Sequence, residues 1–455
     1  MKKIMVLVVL AAVVYVGASY VLGGQVRDRY FGELEARGGG MIALSNQSYE
    51  RGVFSSDAVT LVEVAVPGDS GDEPVRTSRF AVRHVFHHGP FPASGASATP
   101  MLALVDSTVE PVPQGGPLGE IFTQVPELSR TTSTVRIGLD GEVEGEVLVP
   151  AFEVRRDGES FSWGGLTVKA SQDPGTGALR GEYAAPGLTG TFAEGALAME
   201  GFSGRFDVVE ALPLVFVGKV EGSLETLNAT SAGEGPVTLG GLRFSSDSGI
   251  EGNMIRYRQT VSVERGAAGG IDWGPAVCDM ETVNVDAAAL SEFQAGFREL
   301  YGSAPEAAAD RTAELYTRLF EKLLAGTPEF RVHSLKVPTS MGDMESTLHV
   351  RLDPPGEAPS ANLLAMLRRI DATAEMAVDE SLLVGLVRSS LEGTAAGGGS
   401  ADGAELDALA RQTVDAELDP LLARNLIMRD GAKIRTSAVL KQGRLKVNGQ
   451  ETPLF

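Results

Sequence analysis

Cysteine is nearly absent: the 455-residue chain has one, Cys278. A lone thiol closes no internal disulfide and builds neither a Cys-based zinc site nor an iron–sulfur cluster; Cys278 reads as a small apolar core residue. Histidine is scarce at five residues and tryptophan at two. Positive charge is outnumbered, with 39 Lys plus Arg against 60 Asp plus Glu, a net charge of −21. Such a surface repels phosphate backbones, so no nucleic acid is expected as a partner. Catalytic signatures are missing too. There is no Gly-x-Ser-x-Gly elbow, no Gly-rich phosphate loop ending in Lys-Ser or Lys-Thr, and no His-Glu-x-x-His. Gly266 to Gly270 lacks the strand and helix that frame a dinucleotide loop. The sequence therefore predicts a non-catalytic protein rather than an enzyme, with no cofactor and no metal site.

What is present begins with a long hydrophobic run. Lys2 and Lys3 precede an uncharged stretch from Ile4 to Leu22. At about 1.5 Å per residue it is long enough to cross most of a hydrocarbon core of roughly 30 Å. Two readings compete, a signal peptide cut after Val16-Gly17-Ala18 and an uncleaved signal-anchor. Tyr20, Val21 and Leu22 continue the apolar run past that cleavage point, and Tyr15 and Tyr20 suit a membrane interface, which favours the anchor. Local Lys and Arg counting does not fix the orientation, since Arg27, Arg29 and Arg37 follow closely. The acidic, cysteine-poor remainder suits export. The expectation is a single-pass N-terminal transmembrane helix in residues 1–24, with the bulk of the chain exported to a bacterial periplasm.

Residues 25–285 follow as a β-rich region, after a stem around Gly38-Gly39-Gly40. Ala58 to Val66 is rich in β-branched residues and ends at the turn cluster Pro67-Gly68-Asp69-Ser70. Val135, Ile137 and Leu139 alternate with polar residues, Asp140-Gly141 turns, and Val143, Val147 and Val149 resume the apolar positions, as in a hairpin. From about Thr131 to Val263 the turn spacing predicts an antiparallel meander. The period then becomes helical. Leu290, Phe293, Phe297 and Leu300, then Leu315, Leu319 and Leu323, recur at three- or four-residue steps, so residues 286–326 read as a helical hairpin that covers a sheet face. Residues 327–455 form a C-terminal α/β region. It contains strands at Arg331 to Val337 and Thr347 to Leu352, and a strand-like alternation from Ile370 to Val378 preceded by the apolar Leu363, Leu364, Met366 and Leu367. A helix capped by Asp379, a flexible loop at Gly397-Gly398-Gly399-Ser400, a helix from Ala404 to about Met428 and a final hairpin follow. The predicted fold class is α+β: a predominantly antiparallel, elongated, curved sheet with covering helices.

His84, His87 and His88 are the densest cluster of ligand-type side chains, but neighbouring residues of a strand face opposite ways and no Cys or spaced carboxylate completes a site. The plainer reading is a strand ending at Gly89-Pro90, with His88 bonded locally and Phe91 packed. Arg51-Gly52-Val53-Phe54 reads as a strand bend in which Phe54 is buried and Arg51 reaches a carboxylate or carbonyl. Tyr49 reads as a hydrogen-bonded core residue.

Tyr49, Arg51, Gly52, Phe54, Ser55 and Ser56, followed by His88, Gly89, Pro90, Phe91 and Pro92, resemble the N-terminal signature of the YdgA-like family, bacterial membrane-anchored periplasmic proteins of unknown function. Ser133 to Gly138, the Ser162 to Gly165 turn and the terminal Leu445 to Gly449 hairpin extend the resemblance. It implies an inner-membrane anchor, a periplasmic β-rich body and self-association into a homo-oligomer, with no assigned chemistry. Two roles follow: a membrane-tethered envelope scaffold that associates with itself or with an envelope protein, and, as the alternative, a lipid-binding or lipid-transfer protein with an apolar groove on the curved sheet.

Overall fold

A computed structural model describes residues 2–37, 42–66, 76–92, 99–112, 115–231, 234–300, 305–353, 368–395 and 403–452, without the side chains of residues 2–9, 36–37, 66, 76, 118, 234, 298–300, 305–310, 313, 320, 324–325 and 392–395. The expected stem at 38–40, the turn at 67–70, the apolar residues at 363–367 and the glycine loop at 397–400 lie outside the described residues.

Helix α1 (Lys2–Arg37) leads into a single antiparallel sheet of 23 described strands. Strands β1 (Ile42–Arg51), β2 (Ser55–Val66), β3 (Arg76–His88), β4 (Met101–Pro111) and β5 (Thr132–Gly138) pair in sequence order, and β6 (Val143–Val149) continues the row. Antiparallel pairing of neighbouring strands then continues to the C-terminus. Two strand positions are bent rather than straight. Residues 143–149 and 152–156 face 166–172 and 159–163 across an interruption at Pro150-Ala151 and Gly164-Gly165. Gly165 has a positive φ of 95°, a conformation that L side chains rarely adopt. A meander needs only local reversals, which is why turn signals at short intervals specify it.

Among the described residues helices are inserted between strands at three places. Helix α2 (Gly116–Gln124) packs on β3, and α3 (Ala287–Leu300) with α4 (Pro305–Ala325) interrupts the meander between two paired strands. The Asp286 carboxylate accepts the Ala289 N–H at 2.8 Å and caps α3. Helices α5 (Glu380–Ala395) and α6 (Gly403–Ala423) form a second pair before the last strands. The Asp379 carboxylate, expected to cap α5, accepts the Asp343 N–H at 2.7 Å and so ties two strands. The final helix stops at Ala423, short of the expected Met428, which lies in a strand; Leu422 and Ile427 instead pack into the C-terminal core.

Apolar side chains gather in three separate clusters, each under a helix. Val26 of α1 packs on Phe86, Leu102 and Val105; Val215 and Ile255 pack against Ala287 of α3; Val378 and Ile434 pack against Leu382, Val414 and Leu418 of α5 and α6. Across much of the intervening sheet the side chains are only half-buried.

One face of that span carries a checkerboard of charge. Arg180 stands opposite Asp207, Asp207 opposite Lys219, Lys219 opposite Asp247, Asp247 opposite Arg258, Arg258 opposite Glu281 and Glu281 opposite Arg331. Beside this row runs Glu182, Arg205, Glu221. Glu281 is the one member 4% exposed; Arg256 Nε reaches it at 2.7 Å, Arg331 at 3.1 Å and His333 Nε2 at 3.2 Å. Burial opposes ionisation of Glu281, but those donors outweigh it and hold its carboxyl below the ordinary range.

Two expectations are revised. The β-rich region drawn from residue 25 begins at Ile42, because α1 continues to Arg37 and its Val26 and Tyr30 pack on the sheet. Among the described residues no helix is long and apolar enough to cross a membrane. Of the transmembrane helix assigned to residues 1–24, Met1 and the side chains of residues 2–9 lie outside the described residues.

Candidate functional site

Both N-terminal motifs converge on α1. A stripe of that helix, Ser19, Gly23 and Val26 with Leu22 and Tyr30 alongside, turns toward β1 to β5 at helical spacing. Small residues at 19 and 23 let the helix backbone come close, and the space beside Gly23 is filled by His88, which is 1% exposed. The His88 ring is fixed at both nitrogens: Nδ1 lies 3.0 Å from the Val53 carbonyl and Nε2 2.8 Å from Ser56 Oγ. A carbonyl only accepts, so Nδ1 carries the proton and Nε2 accepts from the Ser56 hydroxyl. Burial pushes the His88 imidazole below its usual range, with Arg51 and His87 acting in the same direction against the Val53 bond.

Arg51 reaches a carbonyl, that of Tyr20, and its guanidinium sits 4.3 Å from the Tyr20 ring centroid. Gly52 makes the expected bend, its N–H donating to Ser55 O at 2.8 Å. Tyr15 stacks on Phe54 at 5.8 Å and donates its hydroxyl to the Phe91 carbonyl at 2.6 Å. Pro92 is buried, and Ser55 half-buried at the start of β2. Gly89 passes so close to β4 that its N–H meets Leu102 O at 2.8 Å, and Pro90 O accepts from Met101 N.

A second, partly buried network lies about two turns along the helix. Tyr30 Oη is 2.8 Å from Thr60 Oγ1 and 3.2 Å from Asn46 Oδ1; His84 is 3.0 Å from Thr60 and 2.8 Å from Ser107. His84, Phe86 and His88 point to one face, while His87 points away and meets Asp106 at 3.3 Å. The histidines thus serve different partners. Among the described residues no group of three His, Cys, Asp or Glu side chains is placed to hold a metal.

Burial pushes His84 down to about 4 from 6.5. The folded chain keeps the ring neutral where an unfolded one would protonate, so the contribution is fully present above pH 6.5 and is lost as pH falls toward 4. At 1.36 kcal/mol per tenfold change in proton affinity the loss is about 3 kcal/mol at most. Urea denaturation of the parent between pH 7.5 and 4.5 is expected to show this decline, and His84→Gln to flatten part of it. Equal slopes in the two proteins would overturn the assignment.

Three expectations from the sequence differ. Phe54 and Phe91 are 48% and 47% exposed rather than packed, because both lie on turns that project past the strand ends. The Tyr49 hydroxyl is buried without a hydrogen-bond partner, and the ring is held instead by Tyr30 and Phe31 at 5.6 and 5.5 Å. Cys278 is half-buried. What sequence reasoning missed is the other half of the clasp: Ser19, Gly23 and Tyr30 sit in or just beyond an apolar run, and only the small residues four apart hinted at a close approach.

The model of a bacterial protein family of unknown function, DUF945, matches residues 1–455. None of the curated proteins compared matches the chain.

Proposed function

The chain belongs to the DUF945 family of bacterial proteins, and we propose that it is a membrane-anchored, periplasmic, non-catalytic platform whose sheet serves assembly. The narrower YdgA-like identity is part of the same proposal. The observation that carries it is α1. The helix leaves the sheet with Leu10, Val13 and Val14 each more than 60% exposed, on the same uncharged run that starts at Ile4. Water disfavours such a surface; a bilayer accepts it. The clasp makes the anchor a rigid extension of the sheet rather than a tether.

Assembly is supported by the edges. Strand β1 and the last strand, Gln450–Thr452, each have one neighbouring strand among the described residues, and an open edge is a template for pairing with a further chain. The lipid-transfer alternative is less well supported. Two clefts along the sheet, of about 910 and 610 Å³, are lined by Lys169, Glu182 and Arg205, which an acyl chain would desolvate without compensation.

The test uses the full chain. It is expected to stay with membranes through an alkaline carbonate wash, and a C-terminal alkaline phosphatase fusion is expected to be active. Release by the wash, or activity only of a cytoplasm-dependent reporter, would remove the anchored reading. Sedimentation of the detergent-solubilised protein as a strict monomer would remove self-assembly.

A further inference from the structure

The exposed apolar side chains at the end of the sheet have a location that the anchor explains. Val53 and Phe54 sit on the turn between β1 and β2, and Phe91 on the turn after β3; their exposures are 38%, 48% and 47%. Tyr15 ties both turns to α1 through the Phe54 ring and the Phe91 carbonyl, and Arg51 ties the first turn to Tyr20. The turns therefore stand level with residues 15–20 of the helix. The uncharged run ends at Leu22. At about 1.5 Å per residue, residues 15–20 lie roughly 3–10 Å on the apolar side of that end. If Ile4 to Leu22 spans a core of about 30 Å, the two turns are below the boundary with it.

Their chemistry fits that depth. Gly52 to Ser55 and Gly89 to Pro92 contain no charged residue. Several of their backbone polar groups are satisfied internally, which a low-dielectric setting favours. Val53 O accepts from His88 Nδ1, Phe54 O from His88 N, Pro90 O from Met101 N and Phe91 O from Tyr15. Pro90 and Pro92 have no N–H to satisfy, and Gly52 and Gly89 donate theirs to Ser55 O and Leu102 O. Burial keeps His88 on the neutral side.

We propose that these two turns are a membrane-interfacial foot: Val53, Phe54 and Phe91 enter the boundary between headgroups and acyl chains beside α1, so that the sheet stands on the bilayer by its first strands. The occupant is the lipid surface of the same membrane that the helix enters, and the inference rests on the anchored reading. Insertion of roughly 5–10 Å is what amphipathic elements at this boundary achieve. Aromatic side chains are the ones enriched there.

The experiment uses the full chain in vesicles of phosphatidylcholine with phosphatidylglycerol, made with or without bromine on the acyl chains. In a Trp163→Phe, Trp273→Phe background, single indoles are introduced by Phe54→Trp, Phe91→Trp, Val14→Trp or, as a distant control, Val439→Trp. Bromolipid is expected to reduce emission at least twofold for the Phe54→Trp, Phe91→Trp and Val14→Trp proteins and to leave Val439→Trp unchanged. Quenching of Val14→Trp alone overturns the foot while the anchor stands. If none is quenched, the anchored reading fails and the foot with it. Quenching of all four, Val439→Trp included, overturns a local foot in favour of a sheet lying flat on the membrane.

Discussion

Gly89→Ala is expected to destabilise the N-terminal end of the sheet by about 3–5 kcal/mol, in the range reserved for substitutions with a named steric cause. A Cβ at Gly89 would overlap the Met101 carbonyl oxygen and stand 3.0 Å from that of Leu102. Both partners are backbone, so no side chain can rotate away. Neither strand can retreat, because Gly89 N–H binds Leu102 O and Met101 N–H binds Pro90 O. Moving β4 would also move Leu102, Ala103 and Val105, which with Phe86 make up the cluster under α1. Chemical denaturation with a probe in β3 or β4 measures the effect; a midpoint equal to the parent's would mean that the strands do not approach this closely.

Gly23→Leu should release α1 from a sheet that otherwise remains folded. Its Cβ would overlap Cε1 and Nδ1 of the His88 ring and lie 3.0 Å from Nε2, and that ring is held by Val53 and Ser56. The cheaper response is for the helix to swing outward. Tyr30 then loses Thr60, Arg51 loses Tyr20 and Tyr15 loses Phe91. A cost of about 3 kcal/mol, the upper end for overpacking, is expected. Hydrogen exchange over residues 15–30 should rise steeply while that of strands beyond β5 stays constant. Gly17→Leu is the control, since nothing lies within 4 Å of a Cβ there. Equal protection in both variants would overturn the docking of α1 through His88.

The meander was legible because its information is local. Alternation through Val135, Ile137 and Val143 marked the hairpin of β5 and β6, and the same alternation from Ile370 to Val378 marked a strand despite an apolar run before it. The three-to-four spacing of Leu290, Phe293 and Phe297 marked α3. Docking of α1 was not legible. A run from Ile4 to Leu22 that is apolar on all sides has no preferred face, so Ser19 and Gly23 looked like any other residue of an anchor. Phe54 reads as a core residue on hydrophobicity alone, and hydrophobicity does not distinguish a core from a projecting turn. The motif residues were found, but their shared purpose required the helix, whose partners are 31 residues away for Arg51 and 76 for Phe91.

The rows of opposed charge have a consequence for how such long strands find their alignment. A strand displaced by one residue turns its apolar side to water, but a displacement by two keeps both faces correct and is the error that hydrophobicity cannot detect. Here it meets repulsion in either direction. Sliding residues 195–212 along 215–231 brings Asp207 against Glu221 one way and Arg205 against Lys219 the other; sliding them along 178–192 brings Arg180 against Arg205 or Glu182 against Asp207. Like charges directly opposite are destabilising, so the ion pairs that add little to the finished sheet act as a vernier, reading off the right alignment as each hairpin closes.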